Sequence, residues 1–248
     1  MSKVIEAINK FIDGWEENGH ITDVLLTGSY AVGNPSENSD VDLLIILDDS
    51  VNWEERGNKE IDGYIVEYIA KPFNTWTSIL NREKKSGKRI FSYMFSIAEV
   101  IEGNKSADEL IKLSKNILTD SLPKLGEEEI EMAKYHAHDR LADLKDLHEQ
   151  ESPAFNSMYY FLLATLIGTY AKYERLDIPS TSKLYKFLTD KDYRKKQNMR
   201  QFKDSEFSNI VVSCYKDKSL ENIEQLANHV TSRLGGYNIK NWKLRKTL

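Results

Sequence analysis

The chain has 248 residues, 40 % of them hydrophobic and 29 % charged, with a formal net charge of -5. That composition suits a water-soluble globular chain long enough for one large domain or two modest ones, and it excludes an overall basic field that would draw the chain onto nucleic acid. Its single cysteine, Cys214, excludes an internal disulfide and a thiolate zinc cluster, which makes a reducing compartment the default.

Val4, Ile8, Phe11, Ile12 and Trp15 recur at helical spacing, and Gly19 follows as a stop. This opening segment is amphipathic and carries acids. It lacks the apolar block of a secretory signal, and the longest apolar run, near residues 158–167, falls short of the roughly 20 residues a membrane span needs. The expected location is the cytoplasm, with no membrane partner. Residues 21–27 read as a short strand ending at Gly28. Gly33, Asn34, Pro35, Ser36, Asn38 and Ser39 then supply loop chemistry. Residues 41–47 are almost continuously apolar, as in a strand covered on both faces. Residues 48–58 read as a polar loop, 61–70 as another strand, and 74–85 as a helix capped by Asn74 and stopped by Gly87. A helix and a short strand fill 90–103, and a capped helix follows over 106–119.

Past Pro123 the pattern becomes helical throughout: long helices over 127–150 and 154–176, then shorter ones over 182–188, 205–215 and 219–233. The expected class is α+β. Residues 1–121 read as a domain with a mixed β-sheet flanked by helices, and residues 122–248 as an α-helical bundle.

The chemistry concentrates in the first half. Side chains alternate along a strand, so Asp40 and Asp42 point to one side, with Cα atoms about 6–7 Å apart. Like charges that close call for a cation between them. Glu67 interrupts the next apolar strand and needs a partner as well; if the two strands are neighbours, it completes a three-carboxylate cluster. Three carboxylates suit Mg²⁺, which takes oxygen ligands and keeps waters and substrate phosphates in its shell. Gly28 allows close backbone approach, and Ser29, at the start of a helical turn, adds a hydroxyl and free N–H groups toward a phosphate. Ser39 caps or orients the loop that leads to the aspartates.

GSYAVG, a short polar loop, SDVDLLIIL and a later strand with one acid together resemble the DNA polymerase β nucleotidyltransferase superfamily. The resemblance covers roughly residues 20–70. It implies transfer of a nucleoside monophosphate from a nucleoside triphosphate to a hydroxyl, with release of pyrophosphate. Asp40 and Asp42 would bind Mg²⁺, two ions in all, and Glu67 would bind metal too or take the hydroxyl proton. Gly28, Ser29 and Ser39 would contact the nucleotide. The whole chain further resembles the antibiotic nucleotidyltransferases of the aminoglycoside and kanamycin type, through residues 88–104, YHAHDRLADLKDL and IPSTSKLYKFLTD. That likeness implies AMP from ATP as donor, a hydroxyl-bearing small-molecule acceptor, and Asp139 as a base or acceptor-gripping acid from the helical half. Such relatives often form homodimers.

Other readings compete. Small relatives attach AMP to a partner protein, as antitoxins do, and degenerate ones only bind nucleotide. Arg82, Lys84, Lys85, Lys88 and Arg89 read as a solvated helix face. Residues 103–106 lack the Gly-Lys step of a phosphate loop. His136 and His138 stand two apart on a helix and so point in different directions, which argues against zinc.

Overall fold

The structure, a computed structural model, describes residues 2–103 and 105–245; Asn104, in the 103–106 stretch, lies outside them. Two compact units divide the chain. One holds Met1–Asp120 with Lys196–Asn198, the other Ser121–Lys195 with Met199–Leu248.

In the first unit, α1 (Ser2–Asp13) leads to β1 (Ile21–Thr27), a four-residue helix α2 (Gly28–Ala31) and β2 (Val41–Leu47). Then come β3 (Glu55–Ile61), β4 (Tyr64–Pro72), α3 (Phe73–Ser86), α4 (Ile90–Ser96), β5 (Glu99–Glu102) and α5 (Lys105–Thr119). The sheet order is β3-β4-β2-β1-β5, with β2 and β4 parallel and the remaining pairs antiparallel. One strand departs from the sequence reading: Glu55–Ile61 pairs with β4 from Glu55↔Ala70 to Ile61↔Tyr64, although 48–58 reads as loop. Asp62 and Gly63, at φ 51° and 82°, form the two-residue turn with both φ positive that matches hairpin twist. The strand lies at the sheet edge and is mostly solvated, so it needs no apolar alternation.

Both faces of the sheet are covered. Val41, Leu43, Ile45 and Leu47 join Val24, Leu26 and Val66 under Ile8 and Phe11 of α1. Leu44 and Ile46 join Leu25 and Ile69 on the opposite face, under Trp76 of α3, Phe95 of α4 and Leu110 of α5. This double burial explains why β2 reads as unbroken apolar sequence. Trp76 donates its indole N–H to the Ile45 carbonyl at 3.0 Å, so the large ring is buried without an orphaned donor. Glu83 of α3 is also buried; it accepts from Phe91 N (2.9 Å), Ser92 N (2.8 Å) and Ser92 Oγ (2.8 Å), capping α4 from a neighbouring helix. Arg89 corrects the expectation of a wholly solvated basic face: it is buried and donates to the Asp120 carbonyl at 2.8 Å.

Beyond residue 120 the described residues contain no strand; their α-helices are α6 (Glu127–Glu149), α7 (Phe155–Tyr173), α8 (Leu184–Thr189), α9 (Lys191–Lys196), α10 (Ser205–Lys216) and α11 (Leu220–Arg233). Leu162, Leu163, Leu166 and Ile167 of α7 centre the second unit's core. No helix among the described residues is long and apolar enough to cross a membrane. One buried carboxylate ties three helices together. Asp204 caps α10 by accepting from Phe207 N (3.0 Å). Its Oδ2 accepts from the Tyr170 hydroxyl of α7 (2.7 Å) and meets His229 (2.9 Å) and Arg233 (2.9 Å) of α11. Burial alone would push this carboxyl up, but the Phe207 N–H, Tyr170 and His229 hold it well below the usual carboxylate range.

A depressed folded-state pKa means that this stabilisation is fully present above about pH 4, the ordinary aspartate value, and fades as pH falls below it. An Asp204→Asn protein is therefore expected to lose about 3 kcal/mol at neutral pH. Between about pH 5 and pH 3 its Tm should fall less than that of the wild type, as thermal melts across that range would show.

Candidate active site

β1 and β2 are paired antiparallel so that Thr27 faces Asp42. β2 and β4 are parallel, with Asp42 directly beside Glu67, and β3 places Asn58 beside Glu67. Thr27, Asp42, Glu67 and Asn58 thus form one row across four strands, each about 4.8 Å from the next. The row lies on the Leu44–Ile69 face of the sheet, at the end where β2 begins. Thr27 fixes its own end by donating to the Met94 carbonyl at 2.7 Å.

Gly28 follows Thr27 at φ 67° and starts α2. A Cβ at this position would lie 2.0 Å from Oδ2 of Asp42. Only glycine permits both that φ and that approach, so the turn and the aspartate are built against each other. Ser29 is half-buried on α2, and its carbonyl accepts from Asn34 N at 2.9 Å, closing the loop. The Ser39 hydroxyl accepts from Ser36 N (2.8 Å) and pairs with Ser36 Oγ (3.0 Å), which orients the return to Asp40. Asp40 immediately precedes β2 and is exposed; Asp42 is half-buried.

Glu67 is held by a group that the sequence reading did not single out. Arg56 of β3 forms an ion pair with it through Nη2 and Oε1. In the antiparallel register Arg56 faces Ile69, so it lies diagonal to Glu67 on the same side of the sheet. Among the described residues, the group of three acidic or histidine side chains with ligand atoms within 4.8 Å of one another is Asp204, Glu206 and His229. Asp40, Asp42 and Glu67 are not drawn together that tightly. The Arg56 guanidinium takes one of the three. Their chemistry still fits a divalent ion: hard oxygen donors on one strand and its parallel neighbour, with a glycine cradle beside them. The Asp204 group fits one poorly, because Arg233, Tyr170 and Phe207 N already occupy its carboxylate.

Asp139, the candidate from the helical half, is exposed on α6. After burial and Tyr135, its charge helps raise the Tyr237 hydroxyl.

A Gly28→Ala protein is expected to lose about 2 kcal/mol of stability through the positive φ and the clash with Asp42. Thermal melts read it, and an unchanged Tm would contradict the packing just described.

Residues 8–97 match the family model described as a nucleotidyltransferase domain. No curated protein matches the chain. Among solved structures it is similar to a nucleotidyltransferase-like protein from Exiguobacterium sibiricum 255-15, at 13 % identity and a TM-score of 0.42, over 93 % of this chain and 74 % of that one. The family match spans Gly28, Asp40, Asp42 and Glu67. The match over residues 8–97 supports a transferase enzyme whose general chemistry is nucleotidyl transfer.

Proposed function

We propose that the protein transfers AMP from ATP to a hydroxyl of a small molecule, releasing pyrophosphate, with aminoglycoside-type antibiotics as the first acceptor class to test. One observation carries this reading: Asp42 and Glu67 stand side by side on neighbouring parallel strands, with the Gly28 turn packed against Asp42. Bound to these carboxylates and Asp40, Mg²⁺ would supply Lewis-acid stabilisation of charge on the phosphoryl oxygens.

The chain's own residues supply placement and a proton acceptor. Asp42 is held on a strand whose other residues are all buried, so its position is set before substrate arrives. The Gly28–Ser29 backbone and the Ser29 hydroxyl receive phosphate oxygens. The acceptor oxygen forms a bond to the α-phosphorus while the bond to the β-phosphate oxygen breaks, and its proton passes to a carboxylate. Glu67 is suited to that task once Arg56 lets it go. An acid on the helical half, with Asp139 the first candidate, would pair with amines of a cationic acceptor.

Incubation with Mg²⁺, each nucleoside triphosphate and a panel of aminoglycosides and lincosamides tests the reading. The expected result is pyrophosphate release with a product heavier by one AMP. Asp42→Asn should lower the rate about a hundredfold or more with Tm unchanged. A folded Asp42→Asn protein of full activity would overturn the assignment. Arg56→Gln should release Glu67 and tighten Mn²⁺ binding about twofold, since an exposed ion pair is worth about 0.5 kcal/mol; calorimetry on the nucleotide-free protein reads it.

A further inference from the structure

The helical unit holds a pocket of about 280 Å³ between α6 and α7, unlike the seam beside it. Where these helices pack tightly, they meet through Ala137, Leu144, Leu162 and Leu166, all buried. On the adjoining stripe the contacts change character. α7 presents Thr165, Thr169 and Lys172 at spacings of four and three, and α6 presents His136 and Arg140, again four apart. Leucines on these stripes would have closed the groove. Polar side chains leave it open, floored by Leu125, Met132 and Ala133.

The polar groups favour one sign of charge. Arg140 lies over the Phe161 ring at 4.6 Å and donates from Nη1 to Thr165 Oγ1 at 3.2 Å. Pinned in this way, a guanidinium offers its remaining N–H donors in fixed directions and matches a planar or tetrahedral oxyanion. Lys172 adds a second cation at the mouth, where it is exposed. Glu129 is the one acid among the lining residues, and its Oε2 is occupied by the Gly126 N–H at 2.9 Å. A net-negative chain has therefore set two cations around an apolar floor, with Glu129 the single acid beside them.

We propose that this pocket binds a small molecule that joins an apolar body to an anionic headgroup, either a carboxylate or a phosphate monoester. The pocket is lined by residues of the helical unit alone and disfavours polyamines, so it does not depend on the acceptor class tested above.

Fluorine NMR on the full chain tests it with three probes sharing one ring: 4-fluorophenylacetate, 4-fluorophenyl phosphate and 4-fluorophenethylamine. Saturable binding of an anion, at least tenfold tighter than the amine, is expected, and the tighter anion names the headgroup. Arg140→Gln and Lys172→Gln should each weaken it about tenfold, the worth of one charge-assisted hydrogen bond. Lys145→Gln, on the same helix but paired with Glu224, should bind as the wild type does. Asp42→Asn should also bind unchanged, which separates this pocket from the catalytic row. Equal binding of the amine, or anion binding indifferent to both Arg140→Gln and Lys172→Gln in folded proteins, would overturn the proposal.

Discussion

The parallel pairing of β2 with β4 is the constraint on which the first unit and its candidate site rest. It sets Asp42 beside Glu67, and a one-residue slip would exchange the side chains that pack under α1 with those under α3, α4 and α5 and turn Asp42 into the α1 core. β2 is buried under α1 on one side and under α3, α4 and α5 on the other. The same apolar packing that stabilises the unit thus fixes the spacing of two charges at its edge. Carboxylates held close without compensation cost free energy, and the structure offsets part of that cost with Arg56.

Gly28 extends this coupling to the loop. Its missing side chain leaves room for the Asp42 carboxylate, and Thr27, one residue earlier, anchors to α4. Strand end, turn and acid form a single rigid corner. Such corners suit phosphoryl chemistry, in which positioning and electrostatics do most of the work and little covalent chemistry falls to the protein.

Much of this corner was legible in the sequence because burial writes itself as periodicity. Residues 21–27 and 41–47 declare themselves as strands by apolar runs flanked by turn residues, and the structure gives these same bounds. Glu67 stood out as a charge within an apolar strand. What stayed hidden was β3, whose ERGNKEI sequence has no apolar face because it lies at a solvated edge. The Asp62-Gly63 step was the available signal for its hairpin, and reading it would have brought Arg56 next to Glu67. α9 was missed for a similar reason: KDYRKK buries Tyr193 alone. The partners of Asp204 were illegible as well, since Tyr170 and His229 lie 34 and 25 residues from it in sequence.

The two margins of the sheet differ in length but are alike in pairing, both antiparallel, and in chemistry. β3 carries Arg56, Lys59 and Glu60 toward solvent, and β5 is a four-residue strand with glutamates at both ends. Charged or very short border strands discourage a second β-segment from docking alongside. Both borders thus disfavour joining two copies of this chain into one continuous ten-stranded layer.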